Sequence, residues 1–241
     1  MKKIFREKAF QIVCVCGIMS LFLFAVGCAT ELHADLPVNK RVITIDAGHG
    51  EWDPGKQNRS VNEKDINLAI SEKLHSLFEL GGAVVFTTRS DDTALADRKR
   101  DDLGARANVA NHAEADIYLS IHQNSFENQS VNGAQVFYHA SSDESKILGD
   151  FIQKRLNEFV GRQDGTPGNK LAKPGEAYYV LKKTKMPAVI IECGFMSNLK
   201  DLELLQDETF QEKIAWAVYM GVNDYFEYRR QTPNASPSPA L

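Results

Sequence analysis

Four side chains have the types and settings for hydrolytic chemistry: His49 in VITIDAGHGEWDPG, Glu63 in VNEKDINLAI, His122 in DIYLSIHQNS and Glu192 in PAVIIECGFMSN. Two imidazoles and one carboxylate form a ligand set that zinc accepts, with a fourth position left for water. Water on such a metal has a pKa of about 7. A glutamate outside the metal shell can take a proton from that water and return it to a leaving amine. The implied reaction is hydrolysis of an amide. Each residue also has a blander reading. A histidine after a strand is commonly a turn or hydrogen-bonding residue. Glu63 alone reads as a helix-start charge favoured by the dipole, and His122 as a satisfied buried histidine. Glu192 is more telling, because a carboxylate inside PAVIIECGF is expensive to bury without a partner. HExxH, GxSxG and phosphate-loop patterns are absent, which removes the common zinc-protease, serine-hydrolase and nucleotide readings. His112 and His139 read as a solvated helix end and a strand edge, and His33 and His75 as linker and helix surface.

The elements that must position these groups alternate between strand and helix. RVITID (Arg41–Asp46) is apolar on both faces, as a buried central strand is. Gly48 and Gly50 break it and leave His49 at its carboxyl end. Glu63–Leu80 carries Ile66, Ile70, Leu74, Leu77 and Phe78 at helical spacing, with Asn62 as N-cap and Gly81–Gly82 as the stop. Ala83–Thr88 predicts a strand, Ala96–His112 a charged helix, Asp116–Ile121 a strand ending at His122, and Ala134–His139 a strand. Glu144–Phe159 predicts a helix, Tyr178–Leu181 and Ala188–Cys193 strands, and Phe210–Tyr228 the closing helix. This order predicts an α/β sheet with helices on both faces. In such sheets functional groups gather beyond the carboxyl ends of the strands. The four residues converge there if their strands are neighbours.

The chain has 241 residues, 43% of them hydrophobic, and a net charge of −4, which fits one domain with short tails rather than a nucleic-acid binder. Its N-terminus, MKKIFREK, is basic, and an apolar run follows from about Ala9 to Ala29. That pattern predicts a secretory signal or a membrane anchor over residues 1–29, since about 20 apolar residues span a bilayer. Cys28, in AVGCAT, resembles a lipobox, with Ala25 where such motifs usually carry Leu. Residues 30–40 read as a linker, 41–228 as the catalytic domain, and 229–241 (RRQTPNASPSPAL) as a disordered tail. Of the four cysteines Cys193 alone lies in the domain, which excludes a disulfide framework there, and it reads as a small buried hydrophobe facing away from Glu192.

The motifs together resemble the zinc-dependent N-acetylmuramoyl-L-alanine amidases of bacterial cell walls. IDAGHGEWDPG is similar to that family's IDPGHGGxDPG, NEKDINLAI to its EKDxxLxIA, RANVANHAEADIYLSIHQNS to its RxxxANxxxADxxxSIHxNA, and YYVLKKTKMPAVIIECGFMSN to its FxVLRxTxMPAVLVExGFxSN. The resemblance runs from about Arg41 to Tyr228. It implies one zinc ion on His49, Glu63 and His122, Glu192 as the catalytic acid/base, and a six-stranded, mostly parallel, twisted sheet wrapped by helices. It implies cleavage of peptidoglycan between the lactyl group of N-acetylmuramic acid and L-alanine.

The chain departs from the pattern at Ala47 (Pro in the family), Glu51 (Gly) and Gln135 (Glu in many members). Glu51 reads as a further carboxylate near the metal or as an exposed loop charge. A lone catalytic domain behind an apolar segment, together with GAQVFYHASSDESKILGDFIQKRLN, looks like the germination-specific amidases of spore formers, which act on cortex on the way to muramic-δ-lactam. The expected location is exported, at the outer membrane face, the wall or the spore intermembrane space. The expected partners are peptidoglycan, the membrane through the N-terminal segment, and an unidentified regulatory protein. The alternatives are a vegetative autolysin or division amidase, a zinc carboxypeptidase-like peptidase, and a non-catalytic wall-binding module.

Overall fold

The computed structural model describes residues 36–161 and 168–233. The apolar run, Cys28, His33 and the end of the tail lie outside them. Along the chain the elements are β1 (Val42–Ala47), β2 (Gln57–Asn58), β3 (Val61–Asn62), α1 (Glu63–Leu80), β4 (Val84–Thr87), α2 (Lys99–His112), β5 (Ile117–Asn124), β6 (Gln135–Tyr138), α3 (Asp143–Phe159), β7 (Lys173–Pro174), α4 (Tyr179–Lys183), β8 (Ala188–Phe195), α5 (Leu199–Leu204) and α6 (Glu208–Gln231). Six strands form one sheet in the order β4-β1-β5-β8-β6-β7, and β2 and β3 form a small separate hairpin. β4, β1, β5 and β8 run parallel, β6 is antiparallel to β8, and β7 is parallel to β6. The carboxyl ends of β1, β5 and β8 are therefore adjacent, which is the condition for convergence.

The strand period of two sorts side chains between two unequal faces. Ile43, Ile45, Ile117, Leu119, Ile121, Val189 and Ile191 pack into the larger core against α1, α3 and α6. Tyr118, Ala188 and Ile190 turn to the smaller cluster, which Ala110 of α2 and Val180 and Leu181 of α4 cover. By the same alternation Asp46, Ser120, His122 and Glu192 belong to the smaller side. Cys193 falls in the larger core, buried as a free thiol.

Several boundaries differ from the sequence reading; β5 runs past His122 to Asn124, and β8 past Cys193 to Phe195. Tyr178–Leu181 is not a strand: Tyr179–Lys183 is the short helix α4, and the sixth strand is Lys173–Pro174. A run that short carries no decisive periodicity, and Val180 and Leu181 bury equally well as one helical turn. Helix α2 starts at Lys99 rather than Ala96, because the Asp102 carboxylate accepts from the Leu95 N–H and folds the preceding segment back. Helix α6 runs to Gln231, into the segment read as tail. No described helix is long and apolar enough to cross a membrane.

Buried charge ties the small face together. Arg106, 2% exposed, donates to Asp46 at 2.9 Å and to Asp102 at 2.6 Å. Tyr118 and Ser120 each donate to Asp46 at 2.7 Å. Burial alone would raise the Asp46 pKa, but the Arg106 charge and these hydroxyls hold it well below the usual carboxylate range.

On the opposite face α3 and α6 touch backbone to backbone at Gly221, where a Cβ would lie 2.6 Å from Ile152 Cα. Gly221→Val should force the helices apart and lower stability by about 1–3 kcal/mol. A urea midpoint equal to that of the wild type would contradict the contact.

Candidate metal centre and active site

His49 sits one residue past Gly48 at the end of β1, with φ 64°. The following turn closes through paired backbone bonds between Gly50 and Asp53. It brings the Asp53 carboxylate to 2.8 Å from His49 Nδ1, and Lys99 pairs with the same carboxylate oxygen. The other ring nitrogen, Nε2, therefore points inward, 3.2 Å from Glu63 Oε1.

Glu63 opens α1 and is 4% exposed. Its Oε2 accepts from the Lys56 N–H at 2.8 Å, and its Oε1 from the Gln123 N–H at 3.1 Å. His122 Nδ1 lies 2.9 Å from the same Oε1. Burial opposes the Glu63 charge, but hydrogen bonds and positive charge from His122 and His49 keep its pKa well below the usual range. For His49, burial opposes protonation, and Glu63 and Asp53 outweigh it to raise the pKa.

One donor atom each from His49, Glu63 and His122 lies within 4.8 Å of the others, a spacing that could hold a metal ion. The backbone is cut away to permit it. A Cβ on Gly48 would collide with the His122 ring. One on Gly55, at φ +68°, would stand 2.7 Å from Glu63 Oε2.

Glu192 faces this group from β8, in register with His122 on β5. It is 7% exposed, and its Oε2 has no hydrogen-bond partner among the described residues. Burial, then the negative charge of Glu63, push its pKa up to about 8. His49, His122 and Glu192 line one cavity of about 250 Å³, walled by Tyr178, Leu103 and Lys99.

The other named residues stand apart. Glu51 is exposed, and its carboxylate accepts from the Ala94 N–H at 3.3 Å, which makes it a loop tie. Gln135 pairs across the strands with Glu192, but its amide donates to Leu171 O and to Gln153 of α3. His139 contacts Ser141, and His75 contacts Glu79. Sequence reasoning passed over Asp53, Asn67, Arg89 and Arg106. Asp53, Asn67 and Arg106 sit inside the quoted motifs, which was the available signal. Nothing local marked Arg89.

A mostly parallel sheet with a His, Glu, His donor set and a buried carboxyl at its carboxyl edge defines an α/β enzyme with a candidate metal centre. The family described as N-acetylmuramoyl-L-alanine amidase matches residues 43–224. The germination-specific N-acetylmuramoyl-L-alanine amidase of Bacillus subtilis (strain 168) is 32% identical over 206 residues, covering 82% of this chain and 85% of that one. The amidase LytC of the same organism is 34% identical over 192 residues, 79% of this chain and 36% of that one. Among solved structures, the CwlD amidase from Clostridioides difficile, in complex with the GerS lipoprotein, superposes with TM-score 0.73 at 41% identity, over 78% of this chain and 100% of that one. The chain belongs to the N-acetylmuramoyl-L-alanine amidase family and is an enzyme of that class.

Two outcomes test the site. Gly48→Ala should displace the His122 ring and abolish stoichiometric metal binding while the circular dichroism spectrum is kept; full metal content in the variant would contradict the packing. The second concerns pH. Glu192 has a raised folded-state pKa, so its stabilising proton is fully held below pH 4.5 and lost as pH rises through about 8. Metal-free Glu192→Gln should therefore gain in urea midpoint relative to metal-free wild type between pH 5 and pH 9. A pH-independent difference would contradict the burial of this carboxyl.

Proposed function

We propose that the chain hydrolyses the amide between the lactyl group of N-acetylmuramic acid and L-alanine in peptidoglycan, with one zinc ion on His49, Glu63 and His122 and with Glu192 as the catalytic acid/base. The observation that carries this reading is the His49, Glu63 and His122 donor group beside a cavity that both histidines share with Glu192, a buried carboxyl whose Oε2 is unpartnered among the described residues. The donor chemistry suits zinc: two imidazoles and a carboxylate, with the Asp53 carboxylate orienting the His49 ring from behind. When bound, zinc polarises the scissile carbonyl and acidifies water.

The chain's own groups supply the proton handling. Near neutral pH the metal-free site keeps Glu192 mostly as the acid, because burial and Glu63 disfavour its charge. A dication held by the donor set would offset the Glu63 charge and favour the ionised form, which gives Glu192 access to the base form as well as the acid. Its unpartnered oxygen is free to take a proton from the attacking water and deliver it to the alanine nitrogen as the bond breaks.

The cortex role rests on the germination-specific relative, similar over most of both chains. The second reading is an ordinary autolytic or division amidase; the amidase LytC, of which this chain spans 36%, is also similar. An exported location is supported by the basic start and apolar run of residues 1–29, read as a secretory signal or a membrane anchor, with a lipid at Cys28 as a further reading of the same segment. A regulatory protein partner is supported by the CwlD structure having been solved with a lipoprotein.

Digestion of purified peptidoglycan by the full chain, read by mass spectrometry, should release stem peptides with a free L-alanine amine. New D-residue carboxylates without that amine would sink the amidase reading in favour of a peptidase. Glu192→Gln should lower kcat by about 10²–10⁴-fold with zinc content unchanged. Spore cortex from cells lacking the protein should be without muramic-δ-lactam; loss of amidase products from the vegetative wall alone would favour the autolysin reading.

A further inference from the structure

We propose that Arg89, together with Asn67, is a positioning residue of the metal centre, setting the spacing of the three donor-bearing segments. The inference rests on the metal-centre reading above. His49 holds a left-handed backbone conformation, which is strained for a non-glycine residue and persists only where the surroundings over-determine it. Here the carbonyls of residues 47, 48 and 49 are all captured. Arg106 donates to Ala47 O at 2.8 Å and His49 O at 2.7 Å. Arg89 donates from Nε to Ala47 O at 2.9 Å and from Nη2 to Gly48 O at 3.1 Å.

The same Nη2 reaches Lys64 O at 2.7 Å, beside Glu63 in the first turn of α1. One planar guanidinium thus spans from the segment carrying His49 to the segment carrying Glu63. Asn67 extends the link. Its Nδ2 donates to Gly48 O at 3.0 Å, and its Oδ1 accepts from Gln123 at 3.1 Å, next to His122. All three donor carriers are thereby joined to one another.

Arg89 differs from Arg106 in its partners. Arg106 pairs with two carboxylates, whereas every hydrogen bond recorded for Arg89, including Nη1 to Asp91 O at 2.9 Å, ends on a backbone carbonyl. It is nonetheless 5% exposed. Burial, then repulsion from Arg106, work against its charge; the carboxylates of Asp46, Asp92 and Asp65 favour it, but none of them hydrogen-bonds to it. A buried cation held only by carbonyls is a poor device for stability and a good one for geometry, since the rigid fork fixes several acceptors at once. A lysine ammonium keeps the charge and loses the fork.

The test compares wild type, Arg89→Lys and Asn67→Ala as full chains, in three measurements. These are the zinc Kd by chelator competition, the visible absorption of the cobalt-loaded protein, and the unfolding midpoint of the metal-free form. Wild type should bind one zinc. The variants should bind about 10–100-fold more weakly, with an altered cobalt spectrum. Wild-type zinc affinity and spectrum in folded variants, with only the metal-free midpoint lowered, would overturn the proposal and leave Arg89 a stability residue. Should Arg89→Lys not fold, Asn67→Ala decides alone by the same criteria, because it removes no charge. A wild type that binds no zinc would overturn the metal-centre reading, and this inference with it.

Discussion

The buried pair between Arg106 and Asp46 is the interaction on which the site depends. Asp46 stands one residue before the end of β1, and a carboxylate so deep is tolerable only with its charge met and its lone pairs filled. Arg106 meets the charge, while Tyr118 and Ser120 fill the lone pairs from β5. The rest of the Arg106 fork then turns to Asp102 and to the carbonyls of Ala47 and His49. One ionic contact thereby locks helix α2, two central strands and the turn carrying His49 into a single frame. Replacing one partner would strand the other charge, so the frame holds as a unit.

Polarity is divided between the faces of the sheet. The large face carries the stability, with three long helices over a continuous aliphatic core. The small face has only α2 and the five-residue α4, leaving room for a cavity over β5 and β8. There the alternation of the strands delivers Asp46, Ser120, His122 and Glu192. Two carboxyls of the site, Glu63 in the donor set and Glu192 facing it, are tuned in opposite directions. Glu63 accepts from two backbone N–H groups and lies beside both imidazoles, so it stays charged. Glu192 is buried with an unpartnered oxygen and a charged neighbour, so its protonated form is favoured. In the proposed mechanism these divergent environments separate the ligand from the proton carrier.

Residue type and order alone determined much of this protein. The alternation of apolar runs with helical stripes defines the α/β class, and glycines at 48, 50 and 55 mark the close approaches around His49. The donor chemistry is also local information, because imidazole and carboxylate carry it wherever they stand, and the motif strings carried the family resemblance. The short segments were less legible. Val180 and Leu181 suit a strand or a turn of helix, and covering the small face decided between them.

Only the tertiary structure decided which atoms meet. Strand order and register place residues 49, 63, 122 and 192 together across long stretches of chain, and no local pattern encodes a neighbour so far away. The same holds for Arg89 and Asn67. An arginine after an edge strand and an asparagine within a helix look ordinary in sequence, and their work exists only where three separate backbone segments come within reach of one fork and one amide.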